Sequence, residues 1–310
     1  MRQFTAALLT CVALLLATAA HAAPPKSPPT PLLWKVSDAD NAVYLLGSFH
    51  LLKPDDYPLS KDVDNALADA KLVMFEIPPE DIGSPALAMQ MGQAALRKDG
   101  TQLNSELGPA LSRKLETWLT SNGTSLQKAG IPPQMLQLFQ PWFVGLTISL
   151  VEMTDRGLDP KLGLDLHLAN QAKAQGKSTV GLETGTQQIA FLDSMDHDEQ
   201  LQFLDEELGE STQAKQELDK LHAAWRAGDA GMLWSGMAVD MKRHYPKLYQ
   251  HLDVDRNDAW LPKIEQRLKT PGHDDTLVVV GALHLLGSDG VVEKLRAKGY
   301  KVERICSACK

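Results

Sequence analysis

The chain has 310 residues, of which 44% are apolar and 23% charged, and its formal net charge is −8. This ordinary globular composition, with only three cysteines, excludes a disordered chain, a collagen-like repeat and a disulfide-dense miniprotein. The negative charge argues against a general binder of nucleic acids or anionic membranes, because those partners require basic surfaces. The length is compatible with two domains or with one large α/β domain.

The first 22 residues are predicted to be a Sec signal peptide. Arg2 precedes an apolar stretch over residues 4–17, and Ala20 and Ala22 match an A-x-A cleavage site. The stretch is too short for a permanent membrane span, and the alternative is a buried amino-terminal helix. Cleavage after Ala22 would leave 288 residues with a net charge of −9. We therefore expect a soluble, exported protein without a membrane span, either periplasmic in a bacterium or secreted.

Five prolines in residues 23–31 predict an extended tether after the cleavage site. Two strands are predicted next, Leu32–Val36 and Ala42–Leu46, and the Asp-Ala-Asp-Asn turn between them indicates a hairpin. A helix is predicted over residues 60–70, and a short apolar strand follows at Leu72–Ile77.

The middle of the chain is predicted to be mainly helical. Residues 85–158 have helical periodicity with breaks at glycine and proline, and a helix over 163–175 leads into a strand at Ser178–Leu182. Helical patterns resume over residues 187–269. Residues 276–305 have the pattern of a strand, a turn, a helix and a final strand.

An internal repeat connects the two ends of the chain. Residues 43–52, VYLLGSFHLL, and residues 278–287, VVVGALHLLG, both combine an apolar strand with a G-x-x-H motif and a Leu-Leu pair. Each copy continues through a loop and a helix into another apolar strand. Ligands of open α/β sheets bind at the carboxyl ends of strands, so the repeat predicts that His50 and His284 share one edge of a sheet.

Strands at both ends with helices between them predict a single α/β domain over residues 32–305. Its central mixed sheet would be built from the amino- and carboxyl-terminal β-GxxH-α-β units, with a large inserted helical region. Residues 306–310 then form a tail that contains Cys306 and Cys309. In an oxidising compartment a disulfide is the expected state of this pair, with redox or metal chemistry and free thiols as alternatives.

Two carboxylates also follow apolar strands. Glu76 closes the strand at residues 72–77, and Glu183 comes directly after the strand at residues 178–182. A carboxylate in such a place needs a partner if it is buried, and the alternative is a solvated strand end. Two neutral imidazoles with one or two carboxylates are typical of a hydrolytic metal site, and nitrogen and oxygen ligands suit Zn, Mn, Co or Fe. The sequence has no H-E-x-x-H, G-x-S-x-G or phosphate-loop motif, which disfavours the common zincin, α/β-hydrolase and NTPase classes.

Taken together, these motifs resemble the TraB/GumN family, part of the wider TIKI/EreA–ChaN-like group. The resemblance is carried by the paired G-x-x-H motifs, the Phe-Glu-Ile strand end at 75–77, the segment Gly-Leu-Glu-Thr at 181–184 and the tail at 299–304. It extends from about residue 32 to residue 305, and the helical middle matches more loosely.

The resemblance implies a metal-dependent, peptidase-like hydrolase whose centre is formed by His50, His284 and Glu76, with Mn, Co or Zn as the expected ion. Arg256, in an Asp-Arg-Asn segment, matches the Arg-Asn pair of the family. Arg256 would stabilise an oxyanion or bind a substrate carboxylate, and a helix-cap salt bridge is the alternative. Either Glu183 or Glu76 would handle the proton.

Two further residues lie in a segment that resembles the family's G-x-D motif. We expect Asp165 to support a ligand and His167 to be structural. The other histidines have no paired spacing, and we expect packed or solvated surface roles for them: His197, His222, His244, His251 and His273.

Three functions are consistent with the sequence. The first is a metal-assisted hydrolase of amide or ester bonds, acting on a peptide or another small extracytoplasmic substrate. The second is a metal-independent esterase-like hydrolase in which His50 and Glu76 activate water directly. The third is a non-catalytic periplasmic binding or chaperone-like protein that uses the helical block at residues 187–268. None of the three involves nucleic acid, and the oligomeric state is left open.

Overall fold

The computed structural model describes residues 27–209 and 211–309. The predicted signal peptide lies outside the described residues, as does the first part of the predicted tether. Residues 27–31 run beside a helix, where the amide of Thr30 donates a 2.7 Å hydrogen bond to the carbonyl of Arg226. The division of the chain into signal peptide, tether, domain and tail stays a prediction.

Six strands form one mixed sheet in the described part of the chain. They are β1 (Leu33–Ser37), β2 (Ala42–Ser48), β3 (Leu72–Phe75), β4 (Ser178–Gly181), β5 (Thr276–Gly281) and β6 (Lys301–Arg304). Their order in the sheet is β4-β3-β5-β2-β1-β6. Neighbours from β4 to β2 are parallel, whereas β1 is antiparallel to both β2 and β6. The predicted α/β fold with a central mixed sheet from both ends of the chain is therefore confirmed.

Strands β2 and β5, which carry the repeat, lie side by side. Gly47 is opposite Val280, and Ser48 is opposite Gly281. All of β2 is buried, as are the first five residues of β5. Both are nearly continuous apolar runs, which is typical of central parallel strands that are covered on both faces. The two G-x-x-H motifs therefore leave the sheet next to each other.

The described part of the chain contains thirteen α-helices. They are α1 (Lys61–Asp69), α2 (Pro85–Ala95), α3 (Pro109–Lys128), α4 (Pro141–Asp155), α5 (Leu164–Ala174), α6 (Gly185–Asp193), α7 (His197–Leu208), α8 (Ser211–Ala227), α9 (Ala230–Trp234), α10 (Asp240–His244), α11 (Pro246–Tyr249), α12 (Asp255–Lys269) and α13 (Val291–Ala297). A π-helical turn, Gln250–Val254, joins α11 to α12. None of these helices is both long and apolar enough to cross a membrane.

Most of the buried apolar residues form two clusters. The larger contains the sheet together with residues of α1, α5, α8, α12 and α13. A second cluster joins α3, α4 and α7 through Trp118, Ile148 and Leu204. The inserted helices therefore have a buried core of their own, as their amphipathic patterns require.

The carboxyl-terminal tail is attached to the first helix. Cys306 and Cys309 are joined by a disulfide. Ser307, which lies between them, donates from its amide and its hydroxyl to the carboxylate of Asp62, at 2.6 Å and 2.7 Å. The short disulfide loop thereby holds the chain end at the amino-terminal turn of α1.

Candidate active site at the carboxyl edge of the sheet

Four polar side chains lie at the carboxyl ends of four adjacent parallel strands. His50 follows β2, Glu76 follows β3, Glu183 follows β4 and His284 follows β5. Because these strands are neighbours in the sheet, the four side chains emerge along one edge. Open parallel sheets bind their ligands at this position.

His50 is oriented by a carboxylate from the first turn of α5. Its Nδ1 donates a 2.9 Å hydrogen bond to Oδ2 of Asp165, which also accepts a hydrogen bond from the hydroxyl of Ser48. Gly163 permits this approach of α5, because a Cβ there would collide with the carbonyl oxygen of His50. The charge of Asp165, with a smaller effect of Glu76, raises the pKa of His50 to about 9. Since Nδ1 is occupied, Nε2 of this 56% exposed side chain is left to face the site.

His284 is oriented by residues of the π-helical turn and α12. Its Nδ1 donates to Oδ1 of Asn257 at 2.9 Å, and Oδ1 of Asp253 lies 3.0 Å from the same nitrogen. The amide nitrogen of Asn257 donates to Oδ2 of Asp253 and to the carbonyl of Asp289, both at 3.0 Å. These two bonds fix the Asn257 oxygen towards His284, so Nε2 of His284 is the nitrogen left for other partners.

Glu76 lies between the two histidines. Its Oε1 is 3.9 Å from Nε2 of His50 and 3.9 Å from Nε2 of His284. The same oxygen accepts a 2.7 Å hydrogen bond from the amide of Gly281. Burial acts to raise the pKa of Glu76, but the positive charge of Arg256 and the two imidazoles outweigh it and hold that pKa well below its usual range. Glu76 is therefore a buried, ionised carboxylate.

Arg256 extends from the first turn of α12 and bridges the two carboxylates. Its Nη2 donates to Oε2 of Glu76 at 2.6 Å and to Oε1 of Glu183 at 2.7 Å. Its Nη1 lies 3.2 Å from Nε2 of His284. The side chain is only 13% exposed, so Arg256 is a buried cation inside the site and not a surface salt bridge at the helix cap.

Glu183 has all its polar contacts inside the protein. Besides the two contacts of Arg256, it accepts hydrogen bonds from Trp260 Nε1 at 3.2 Å and from Gln188 Nε2 at 3.1 Å. The Arg256 guanidinium also lies 4.6 Å from the centroid of the Trp260 ring, a cation–π geometry. The arrangement suits Glu183 to hold Arg256 in place.

The residues at this centre fit a divalent transition metal in donor type and orientation. The two Nε2 atoms and Oε1 of Glu76 are the nitrogen and oxygen donors that such ions bind, and the Nδ1 contacts are those of ligating histidines. Gly281 leaves the space between them open, because a Cβ there would lie 3.2 Å from Glu76 Oε1 and 3.4 Å from His50 Nε2. In the arrangement that the structure shows, no group of three His, Cys, Asp or Glu side chains within the described residues is placed to hold an ion.

Two histidines outside the centre have other roles. Nε2 of His167 lies 2.8 Å from the amide nitrogen of Gln171 within α5, as expected of a structural residue. His222, for which we expected a surface role, is buried and contacts Asp56 at 2.8 Å. Asp56 is fully buried, and a buried carboxylate requires partners of this kind.

Sequence reasoning missed three residues of the site. Asp253, Gln188 and Trp260 follow no motif, and all three contact a residue that the motifs identified. Helical spacing was an available signal for Trp260 alone, because it lies four residues after Arg256 within α12.

Comparison with known proteins identifies the family of this chain. Residues 32–304 match the TraB/PrgY/gumN family along almost the whole described chain. The chain belongs to this family. It is 25% identical to the uncharacterized protein YbaP of Escherichia coli (strain K12) over 255 residues, 82% of this chain and 87% of that protein. A YbaP protein of Shigella flexneri gives the same values.

A family relative with a named activity is also similar. The metalloprotease TIKI1 of Danio rerio is 23% identical over an alignment of 323 residues, which covers 90% of this chain and 64% of TIKI1. No solved structure gives a significant match. Membership of the TraB/PrgY/gumN family and the similarity to a metalloprotease both point towards hydrolytic chemistry.

Proposed function

We propose that this chain is a metal-dependent, peptidase-like hydrolase of amide or ester bonds. The observation that carries the proposal is the convergence of two histidines on one carboxylate. His50 and His284 each have Nδ1 engaged by an acceptor, and each directs Nε2 towards the same oxygen of Glu76 at 3.9 Å. Family membership and the printed name of TIKI1 support the same chemistry.

His50, His284 and Glu76 would hold the ion, with Mn, Co or Zn as the candidates. When bound, such an ion polarises a carbonyl and lowers the pKa of a coordinated water. Other residues of this chain would orient these ligands. Asp165 and Asn257 orient both imidazoles so that Nε2 faces Glu76, and His50 would give up the proton on its Nε2 in order to act as a ligand.

Glu76 and Arg256 would provide the acid–base and electrostatic parts of the reaction. Because Oε1 of Glu76 would bind the ion, the proton would be accepted either by its other oxygen, Oε2, or by Glu183, the second carboxylate on Arg256. Nη1 of Arg256 would donate to the oxyanion of the substrate once it leaves Nε2 of His284. Glu183 would also position Arg256, through the 2.7 Å hydrogen bond that its Oε1 accepts from Nη2.

The reaction would take place outside the cytoplasm. The signal-peptide pattern and the disulfide between Cys306 and Cys309 support export to the periplasm or beyond the cell. The substrate would accordingly be a peptide or another small extracytoplasmic molecule.

The test combines metal analysis with hydrolysis. Protein matured in the periplasm is analysed for bound transition metals and incubated with a peptide library, with and without added Mn, Co or Zn. We expect stoichiometric metal and peptide cleavage, both lost in the His50→Ala/His284→Ala double variant and retained in His244→Ala, an exposed histidine outside the site. Absence of bound metal, with no effect of added ions on stability or cleavage, would overturn the proposal.

One observation favours a second candidate, the metal-independent hydrolase. Arg256 already places a positive charge against Nε2 of His284 and Oε2 of Glu76. With the positive charge of Arg256 in place, the centre could polarise a substrate carbonyl without a metal ion. Hydrolysis that survives exhaustive chelation but disappears in His50→Ala would select this candidate.

A further inference from the structure

We infer that the substrate of this site carries a large apolar side chain beside the bond to be cleaved. The inference rests on the proposed hydrolase function and names its substrate class. The observation behind it is a cavity of about 290 Å³ that opens directly onto His50 and Glu76.

Three apolar residues that line this cavity directly follow polar residues of the site in the sequence. Leu51 follows His50, Ile77 follows Glu76, and Leu166 follows Asp165; all three apolar side chains line the cavity. Each segment thus provides one polar group to the centre and one apolar group to the cavity wall. An apolar side chain held in the cavity would therefore lie within one residue of the reacting bond.

Two of the wall residues lie outside the apolar clusters that form the core. Ile77 and Leu166 are half-buried, and neither belongs to a buried apolar cluster of the described chain. Apolar side chains that are left partly exposed in a concave site are typical of ligand pockets.

The size and charge of the cavity select the occupant. Pockets for drug-sized ligands measure roughly 300–1,000 Å³, so a cavity of 290 Å³ has room for one large side chain and not for a long ligand. No lysine or arginine lines it. Its charged groups, His50, Asp165 and Glu76, are already paired with one another or with Arg256, so an acidic side chain would find no unpaired counter-charge.

The experiment is a cleavage profile on a proteome-derived peptide library, read by mass spectrometry with Mn, Co or Zn added. At one position next to the cleaved bond we expect Leu, Ile, Met or Phe to be favoured over Asp and Glu by roughly tenfold or more. Leu166→Lys should shift that position towards Asp and Glu. Leu166→Ala, which enlarges the cavity, should shift it towards the largest aromatic residues.

Leu150→Lys is the matched control, because Leu150 is 44% exposed on α4 and does not line the cavity. Its cleavage profile should equal that of the wild type. A wild-type profile without apolar enrichment, or a Leu166→Lys profile unchanged from the wild type, would overturn the inference while leaving the hydrolase function standing.

A binding measurement separates the two proposals when no peptide is cleaved. N-acetyl-leucine amide and N-acetyl-aspartate amide are titrated against wild-type protein with labelled isoleucine methyl groups. A shift of the Ile77 and Ile82 signals with the leucine probe alone would support the apolar pocket, although the lack of cleavage counts against the hydrolase. No shift with the leucine probe would contradict the pocket itself.

Discussion

Nη1 of Arg256 lies 3.2 Å from Nε2 of His284, so a permanent cation contacts the imidazole nitrogen that the proposed metal would require. The same guanidinium is hydrogen-bonded to Glu76 at 2.6 Å. Arginine and a divalent ion would therefore compete for the same two side chains. In the absence of the ion, Arg256 supplies the charge that keeps the buried carboxylates stable.

The first prediction concerns this competition. Arg256→Gln leaves Glu76 and Glu183 without their buried cation, and we expect the free energy of unfolding of the metal-free protein to fall by about 3 kcal/mol or more. Removing the competing charge should also make Mn, Co or Zn raise the melting temperature of this variant more than that of the wild type. Thermal unfolding with and without each ion measures both effects.

Arg243→Gln is the control for this prediction, because Arg243 is 67% exposed and pairs with an exposed aspartate. Its stability should change by no more than about 1 kcal/mol. A metal-induced stabilisation of Arg256→Gln that is equal to or smaller than that of the wild type would contradict the competition.

The second prediction concerns the carboxylate behind His50. Asp165→Asn keeps the shape of the side chain but removes the negative charge beside Nδ1, so the ring is held less firmly and its Nε2 becomes a weaker ligand. We expect the affinity for the divalent ion to fall by about 10- to 100-fold, as measured by competition with a fluorescent chelator. Asp193→Asn, an exposed substitution on α6, should retain wild-type affinity. An Asp165→Asn affinity within twofold of the wild type would refute the orienting role.

The third prediction links stability to pH through Glu207 of α7. Burial, with the neighbouring charges of Glu206 and Glu152, raises the pKa of Glu207 to about 7. The folded protein therefore holds this proton at pH values where the unfolded chain has lost it, so the contribution to stability is present at pH 4 and is lost as the pH rises towards 7.

Glu207→Gln replaces the carboxyl group by a neutral amide, so the variant does not lose this stability as the pH rises. We expect the variant to be more stable than the wild type at pH 8, on the order of 2 kcal/mol, and the difference to shrink towards pH 4. Urea unfolding at pH 4, 6 and 8 provides the measurement, with the exposed Glu116→Gln as control. A difference that does not depend on pH would rule out the raised pKa as its cause.

The fourth prediction concerns export and the tail. Full-length protein expressed in a bacterium should be recovered from the periplasm with Ala23 as its first residue, and its Cys306–Cys309 pair should be oxidised. Protein expressed in the cytosol from residue 23 onwards should have two free thiols. Amino-terminal sequencing and thiol titration test both statements, and a retained residue 1–22 segment would refute the cleavage.

The strand ends could be predicted from the sequence because local patterns determine them. Apolar runs identify β2 and β5, and the repeated G-x-x-H motif places His50 and His284 at the same edge without any knowledge of the sheet order. The carboxylates Glu76 and Glu183 follow from the same rule, since each closes a parallel strand.

The partners supplied by helices could not be predicted in the same way. Arg256 reaches Glu76 across 180 positions of the chain, and its position depends on how α12 packs against the sheet. Asp253 reaches His284 from a π-helical turn, which has no sequence signature comparable to the period of an α-helix or a strand. Such contacts are set by tertiary packing and not by local propensity.

Strand β5 has a consequence for how the protein is made. It lies between β3 and β2 in the sheet, yet it is synthesised after more than 270 other residues. Until β5 is inserted, β2 and β3 each present an unpaired, apolar edge, and the chain depends on contacts of very long sequence separation that form slowly. The inserted strand also brings His284, so the centre is completed only when the last part of the chain has been delivered. Hydrolytic activity would thereby be withheld from nascent chains and from any form that ends before His284.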